Sequence, residues 1–267
     1  MTHPAPLTLL TDFGTADAFV GIMKGVIASI CPQVTVIDLT HAVPPQQIRA
    51  GALVLRSAVD FFPAGTIHVA VVDPGVGAAR RPILVETERG LLIGPDNGLL
   101  APAAAHLGRR RIRCLENQLL FRHPVSQTFH GRDIFAPVAA HLACGVDAER
   151  VGPPIDDMVD LALAKPACSA ARIEGEVVYA DRFGNLVTNI DEPTLMRFPG
   201  HAVSVSINGT PVAGPVAAYA AVPDGVALAI VGSWGALEIA VRNGNAAAKF
   251  AAGPGTPVTV VWESRDA

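Results

Sequence analysis

Carboxylates stand directly after the first apolar run of the chain, at a place where ligand-binding residues are often found. Asp12 lies in the segment T-D-F-G, which follows the run Leu7–Leu10, and Asp17 comes shortly after it. An aspartate between a strand and a helix can accept two hydrogen bonds from a ribose diol, and it can equally cap the helix. Because open α/β sheets bind ligands at the carboxyl ends of their strands, Asp12 and Asp17 are candidate binding residues.

Two further clusters in the first half of the chain combine charged residues with glycines. The first is D-P-G-V-G, which begins at Asp73 and is followed by Arg80 and Arg81. Its spacing is not that of a dinucleotide fingerprint, and a turn of this kind is by itself most often structural. The second is F-H-G-R-D, in which Asp133 is expected to cap a helix and His130, just outside that helix, to face a cleft.

The second half of the chain carries a motif suited to a purine base. In the segment D-R-F-G-N, the ring of Phe183 can stack on adenine while the amide of Asn185 hydrogen-bonds the edge of the base. The alternative is a plain Gly-Asn turn whose phenylalanine lies in the core. A later segment, G-S-W-G, contains Ser233 and leads to Glu238, and a simple hairpin is the alternative there.

The elements that would position these residues fall into two groups. Residues 1–160 alternate short apolar runs with amphipathic segments, which predicts an α/β, sandwich-like domain with a mostly parallel sheet. After a proline-rich connection, residues 172–267 predict a smaller, mostly-β domain that forms a barrel. The predicted helices and first-domain strands are Asp17–Ile30, Gln46–Phe61 and Asp133–Ala143, and Leu7–Leu10, Thr35–Leu39, Thr66–Val72, Ile83–Glu86 and Leu91–Ile93. The predicted second-domain strands are Ile173–Tyr179, Leu186–Ile190, Ala202–Ile207, Val226–Val231, Ala236–Val241 and Pro257–Trp262.

The composition argues against several classes of protein. A net charge of −4 without a long basic stripe gives no electrostatic footprint for nucleic acid. No apolar stretch reaches the roughly 18 residues of a membrane helix, and the first apolar run is too short for a signal peptide. The 4 cysteines form no C-x-x-C pair, so we expect neither a zinc site nor a disulfide. These features predict a cytoplasmic protein with no metal and a small-molecule ligand.

Taken together and in this order, the motifs resemble the S-adenosyl-L-methionine hydroxide adenosyltransferase family, relatives of the enzymes that make fluoro- and chloro-adenosine. The resemblance runs from Asp12 through D-P-G-V-G, G-P-D-N-G at Asp96, F-H-G-R-D and F-G-N-x-x-T-N to S-W-G-x-L-E-I-A at Glu238. It implies an N-terminal α/β domain, a C-terminal β-barrel and a homotrimer whose active sites lie between neighbouring subunits.

The resemblance also implies hydrolysis of S-adenosyl-L-methionine to adenosine and L-methionine, by attack of an activated water on the ribose C5′. The catalytic trio falls on Asp73, Arg80 and His130, with Arg81 as an alternative to Arg80. Because the sulfonium leaves as a neutral thioether, only the nucleophile needs activation, and Asp73 and His130 are the candidate bases. Arginine does not release its proton, so its role would be electrostatic. Neither a cofactor nor a metal is required to make this nucleophile.

The remaining candidates bind substrate. They are Asp12 for the ribose diol, Phe183 and Asn185 for adenine, Asp181 for the methionine ammonium, Ser233 for the carboxylate and Glu238 for the adenine amino group, together with Asp17, Tyr219 and Val241. Gly232 departs from the pattern of similar sequences, which often have asparagine before the serine.

Three other functions compete with hydrolysis. A non-catalytic nucleoside or S-adenosyl-methionine sensor would not need the catalytic trio. A halide adenosyltransferase would hold an anion, and halide-using relatives have an uncharged aromatic where this chain has Asp73 and a hydroxyl where it has Gly131. The charge of Asp73 would repel a halide and assist a water, which favours hydroxide transfer. A methyltransferase would need a glycine-rich loop after Leu10, which is missing.

Overall fold

A computed structural model describes residues 4–197 and 204–262 of the chain. The chain divides into two compact units, Met1–Leu161 and Ala162–Ala267, and each has its own hydrophobic core. Within the described residues, no helix is long and apolar enough to cross a membrane.

The first unit is a sheet with helices packed against it. Its strands are β1 Leu7–Thr11, β2 Val36–Thr40, β3 Thr66–Val71, β4 Pro82–Thr87, β5 Gly90–Pro95, β6 Arg109–Cys114 and β7 Pro154–Ile155. Its helices are α1 Phe19–Ile30, α2 Ile48–Ala58, α3 Ala101–His106 and α4 Ala136–Ala143. The strands are ordered β2-β1-β3-β5-β4-β6-β7. The α/β class is thereby confirmed, and α1 and α2 lie within two residues of the predicted helix starts.

The prediction of a mostly parallel sheet is wrong, because the sheet is mixed. Strands β2, β1, β3 and β5 run parallel, whereas β4 pairs antiparallel with both β5 and β6, and β6 pairs antiparallel with β7. The cause is visible between Thr87 and Gly90, where the hydroxyl of Thr87 accepts from the N–H of Gly90 and closes a tight turn. A connection this short joins only antiparallel strands, since a parallel pair needs a long crossover.

The core of the first unit holds β1 between two helices and two strands. Every residue of β1 is buried. Parallel strands cover both of its edges, Leu7 and Leu9 pack in one core cluster with Met23 and Ile27 of α1, and α2 also contacts the strand. Helix α1 buries Val20, Met23 and Ile27 and packs against α4. A fully buried side chain of this size stabilises the fold by roughly 1.5–3 kcal/mol. The loop that follows β1 is therefore anchored to a rigid strand.

The cysteine prediction is wrong for two of the four residues. Cys31 follows α1, Cys144 follows α4, and the two form a disulfide that ties the carboxyl ends of these helices together. Their separation of 113 residues hides this pairing in the sequence. Cys114 and Cys168 are free thiols.

The second unit is a closed barrel. Its strands are β8 Ala167–Cys168, β9 Arg172–Ala180, β10 Leu186–Asp191, β11 Ser204–Ile207, β12 Thr210–Val216, β13 Ala227–Val231, β14 Ala236–Val241 and β15 Pro257–Val261, and its helices are α5 Glu192–Met196 and α6 Ala246–Phe250. Among the described residues, seven strands close in the order β9-β10-β14-β13-β12-β11-β15 and return to β9. The predicted barrel is confirmed; the first two residues of the predicted strand Ala202–Ile207 lie outside the described residues.

A buried histidine in the first unit makes stability depend on pH. His68 of β3 is only 2% exposed, its Nδ1 lies 2.8 Å from the hydroxyl of Thr8, and burial lowers the pKa of His68 to about 4. In the unfolded chain His68 has an ordinary pKa near 6.5. Between about pH 4 and pH 6.5, therefore, His68 is protonated in the unfolded chain and neutral in the folded chain. The contribution of His68 to the free energy of unfolding is therefore fully present above about pH 6.5 and is lost as the pH drops towards 4.

We predict that urea unfolding at pH 7.5 and pH 4.5 will reveal this cost. Replacement His68→Gln should reduce the difference in unfolding free energy between the two pH values by about 2–3 kcal/mol relative to wild type. His123→Gln, at an exposed position, is the control and should leave the difference unchanged. An H68Q variant with the wild-type pH dependence would refute the prediction.

Candidate active site

Three predicted catalytic residues of the first unit meet in one hydrogen-bonded cluster. Nε of Arg80 donates to Asp73 at 2.9 Å and 3.1 Å from its two oxygens, and Nη2 donates to the same carboxylate. The Nη2 atom also lies 2.7 Å from Nδ1 of His130. The side chains of Asp73 and Arg80 are 4% and 10% exposed, so their ion pair is almost wholly shielded from water.

The arginine decides the protonation state of the histidine. A guanidinium only donates hydrogen bonds, so Nδ1 of His130 must accept and the ring proton must sit on Nε2. Burial and the nearby charge of Arg80 lower the pKa of His130, while Asp73, Asp133 and a hydrogen bond to the backbone of Ser126 act in the opposite direction. His130 is therefore a neutral ring whose Nδ1 lone pair is already occupied.

The turn that carries Asp73 is fixed from two sides. The amide of Asn97 donates to the carbonyl of Val72 at 2.9 Å and so holds the residue before Asp73. Gly77 has φ +78°, and a Cβ there would overlap the carbonyl oxygen of Gln127. Glycine is thus required at residue 77, both for its left-handed conformation and for the close approach of the two loops.

Asp133 has a larger part than the helix cap expected from the sequence. It is fully buried, accepts from the N–H of Ser126 at 2.9 Å and pairs with Arg132 and Arg122. These contacts tie the loop before His130 to a single π-helical turn, residues 131–135, which leads into α4. Sequence reasoning missed this role because an aspartate at the start of a helix is usually explained by capping.

Arg81 points into a different network from its neighbour. Its guanidinium donates to Asp96 at 2.6 Å and 2.9 Å and to Asp157 at 2.9 Å. Asp96 in turn accepts from the N–H of Val159 at 2.7 Å. Of the two adjacent arginines, Arg80 is therefore the one that contacts Asp73.

The loop that carries Asp12 packs beside the loop that carries His130. The rings of Phe13 and Phe129 lie 5.8 Å apart in an edge-to-face arrangement, which places the two loops side by side. One oxygen of Asp12 accepts from the N–H of Gln46 at 2.8 Å. Asp17 is exposed in the segment ahead of α1, because that helix begins at Phe19 and not at Asp17 as predicted.

All predicted binding residues of the second unit line one cavity of about 690 Å³. They are Asp181, Phe183, Asn185, Tyr219, Ser233, Glu238 and Val241. Sequence reasoning assigned no site role to the other six lining residues, Val187, Ala220, Trp234, Arg242, Asn243 and Gly244. The ring of Trp234 stacks on Tyr179 at 5.0 Å, so this wall of the cavity is braced from behind.

Phe183, which lines the cavity, lies in a turn that is held by hydrogen bonds to Asp181. Asp181 accepts from the N–H groups of Phe183 and Asn185, each at 2.8 Å, and from the side-chain amide of Asn185 at 3.0 Å. Phe183 is 74% exposed, which rules out the alternative of a core phenylalanine. An exposed ring held by a fixed turn is well suited to stacking on a flat ligand.

Glu238 lies deeper in the same cavity and is paired with a tyrosine. Tyr219 donates its hydroxyl to Glu238 at 2.6 Å. Burial raises the pKa of Glu238, the hydroxyl of Tyr219 lowers it and Asp181 raises it further. A Cβ at Gly232 would lie 2.7 Å from the second oxygen of Glu238, so the glycine leaves room for this carboxyl group.

The structure describes no group of three or more His, Cys, Asp and Glu side chains, in residues 4–197 and 204–262, that could hold a metal ion. In the first unit, Arg80 pairs with Asp73, and Arg81 pairs with Asp96 and Asp157.

Comparison with known proteins gives a consistent family. Residues 7–152 match the model of the SAM hydroxide adenosyltransferase N-terminal domain, and residues 175–259 match that of the C-terminal domain. A curated protein of Salinispora tropica, named (R)-S-adenosyl-L-methionine hydrolase, is 42% identical over 96% of this chain and 98% of its own length.

Two further comparisons agree with this result. A crystal structure of a conserved protein from Thermotoga maritima has a TM-score of 0.89 and 38% identity, and covers 96% of this chain and 99% of that chain. A fluorinase of an Actinoplanes species is more distant, at 29% identity over 72% of this chain and 73% of its own length. With both domain models matched in order, the chain belongs to the SAM hydroxide adenosyltransferase family.

Proposed function

We propose that this chain hydrolyses S-adenosyl-L-methionine to adenosine and L-methionine, by attack of an activated water on C5′ of the ribose. The observation that carries the proposal is the hydrogen-bonded cluster of Asp73, Arg80 and His130 in a chain of this family. The name of the Salinispora relative agrees with this reaction. S-adenosyl-L-methionine is the substrate, and the proposal calls for no cofactor.

The chemistry divides unequally among the three residues. The new bond forms between the water oxygen and C5′, the C5′–S bond breaks, and its electron pair stays on sulfur as a neutral thioether. The water must lose a proton as it attacks, and we assign Asp73 as the acceptor. The single acceptor lone pair of His130 is used by Arg80, whereas the carboxylate of Asp73 keeps further lone pairs beside those that accept from Arg80. Arg80 orients Asp73 and stabilises hydroxide character on the water, and His130 holds Arg80 in place.

Two features oppose halide as the nucleophile. A carboxylate about 4 Å from a halide costs on the order of 4 kcal/mol at an effective dielectric near 20, before Arg80 offsets part of it. A side chain at residue 131 would also crowd the loop, since a Cβ there would lie 3.1 Å from Sδ of Met23 and 3.2 Å from the ring of Phe129. The loop is thus closely packed around Gly131, and the glycine itself offers no hydroxyl to a halide.

We predict that the purified protein converts S-adenosyl-L-methionine to equal amounts of adenosine and methionine, at a rate unchanged by a chelator. In ¹⁸O-water the label should enter the 5′ oxygen of adenosine, because the attack is at carbon. Saturating fluoride or chloride should give no 5′-halo-adenosine. Binding without product would indicate a sensor, and halogenated product at a comparable rate would contradict the charge argument.

The division of roles predicts different effects of substitution. Asp73→Asn should lower kcat by about 10²–10⁴-fold, because it removes the proton acceptor. His130→Asn should lower kcat by no more than about tenfold, since its amide oxygen can still accept from Arg80 but cannot take up a proton.

Neighbouring arginines supply the matched control for this experiment. Arg80→Ala should reduce kcat severely, whereas Arg81→Ala should leave kcat within about threefold of wild type and lower the thermal midpoint. An H130N variant as inactive as D73N would make the histidine the base and overturn the assignment.

We further propose that the protein acts in the cytoplasm as a homotrimer whose active sites each use the first unit of one subunit and the second unit of a neighbour. Support comes from the separation of the groups: the trio belongs to the first unit, and the adenine-side cavity belongs to the second. Phe19, Ile22 and Ile37 are 44%, 41% and 37% exposed, so α1 and the edge strand β2 present apolar surface that a neighbour could cover.

This arrangement predicts complementation between two inactive variants. Mixing Asp73→Ala with Asn185→Ala under conditions of verified subunit exchange should restore a fraction of wild-type activity, because some sites regain both intact halves. Sedimentation should give three times the 27.7 kDa chain mass. A trimer that exchanges subunits without recovering activity would place each site within one chain.

A further inference from the structure

The loop that carries Asp12 is hydrogen-bonded to the segment that follows β2. The N–H of Gly14 donates to the carbonyl of His41 at 2.8 Å, and the N–H of Gln46 donates to Oδ2 of Asp12 at 2.8 Å. Gln46 has φ 66°, a left-handed conformation that is uncommon for any residue but glycine. Such conformations cluster at functional sites, and here the conformation directs an N–H at the candidate ribose-binding carboxylate.

A chain of side chains supports the same loop from below. Nδ1 of His41 lies 2.8 Å from Oγ1 of Thr11, and Oγ1 accepts from the N–H of Phe13 at 3.2 Å. On the other side of the ring, Nε2 lies 3.1 Å from Oδ1 of Asp38, within ion-pair distance although off the ideal hydrogen-bond direction. Thr11 is fully buried, and the His41 side chain is 4% exposed.

The direction of the hydrogen bonds follows from the charges at the two ends. Lys24 of α1 lies 2.6 Å from Asp38. Burial acts to raise the pKa of Asp38, but the neighbouring Lys24 and His41 outweigh it and lower the pKa, so the carboxylate is ionised. A carboxylate favours a proton on the near nitrogen of His41. The far nitrogen then accepts from the hydroxyl of Thr11, whose oxygen remains free to accept from Phe13.

This row of aspartate, histidine and hydroxyl has the composition of a nucleophilic triad, but it does not have the geometry of one. Thr11 has no exposed surface, and its oxygen is already engaged by the N–H of Phe13. A nucleophile must reach its substrate, and this hydroxyl does not. The row ends instead at the peptide group between Asp12 and Phe13.

We infer that Thr11, His41 and Asp38 are positioning residues that set Asp12 for the two ribose hydroxyls of the substrate. The inference rests on the proposed function, which supplies the ribose. Asp12 touches the ligand, whereas the other three act through the loop that carries it.

The chain contains a matched control on the same strand. Thr8 of β1 is also fully buried, and its Oγ1 also lies 2.8 Å from Nδ1 of a histidine, His68 of β3. This second pair is three residues earlier in the strand, and among the described residues neither side chain hydrogen-bonds to the loop that follows β1. Thr8→Val and Thr11→Val therefore remove equivalent buried hydrogen bonds and differ in their connection to Asp12.

The test compares Thr11→Val, Thr11→Ser and Thr8→Val by steady-state hydrolysis and thermal unfolding. T11V should raise KM by about tenfold or more with kcat within about threefold, because a misplaced ribose contact weakens binding. T11S keeps the hydroxyl and should restore KM. T8V should lower the thermal midpoint by about as much as T11V while its KM stays at the wild-type value. If T11V fails to fold, Asp38→Asn, at a position 39% exposed, takes its place and should raise KM in the same way. Lys24→Met, which removes the ion-pair partner of Asp38, is measured beside it.

A double-mutant cycle checks that the effect passes through Asp12. Asp12→Ala and Asp12→Ala/Thr11→Val should have the same KM, since T11V has nothing left to misplace. Equal KM values for T11V and T8V, or additive effects of D12A and T11V, would overturn the inference and leave the proposed function standing. A wild-type protein that releases no adenosine would overturn the proposed function itself and this inference with it.

Discussion

The guanidinium of Arg80 donates hydrogen bonds and accepts none, and this fixes the state of both groups that it contacts. The carboxylate of Asp73 receives two of its N–H groups, and His130 must offer a lone pair to receive another. Because the side chains of Asp73 and Arg80 lie almost wholly out of water, their ion pair is strong and poorly screened. The surrounding loops are arranged to keep this geometry, with Asn97 behind Asp73 and Asp133 behind His130.

The two units solve the positioning problem in different ways. In the first, charged residues are held by other charged residues, as Arg81 is by Asp96 and Asp157. In the second, the ring of Phe183 is exposed, and its turn is held by backbone N–H groups that donate to Asp181. The first arrangement suits the movement of a proton, and the second suits the recognition of a flat, neutral surface.

Much of the site could be predicted from the sequence because its residues are local to short motifs. Asp73 and Arg80 lie seven residues apart, and Phe183 and Asn185 share one turn, so spacing along the chain reflects distance in space. The choice between Arg80 and Arg81 could not be made, since adjacent side chains diverge according to partners far away in the sequence.

What the sequence did not reveal depends on long-range pairing. The disulfide joins residues 31 and 144, and the Thr11–His41 contact joins the last residue of β1 to the residue after β2, so neither leaves a local pattern. Strand β6 begins with three exposed arginines, which suppress the apolar signal of its buried second half. The mixed sheet is the exception, because the short turn between β4 and β5 was already present in the sequence and was not used to infer an antiparallel pair.

Closure of the barrel has a consequence for the order in which the chain folds. Strand β9 pairs on one side with β10, its neighbour in sequence, and on the other side with β15, at the far end of the unit. The first pairing closes a short loop, whereas the second must bring together distant segments. The second therefore loses more chain entropy before its contacts form. Chain entropy therefore favours closing the β9–β15 seam last, and until it closes both strands expose unpaired edges to other chains.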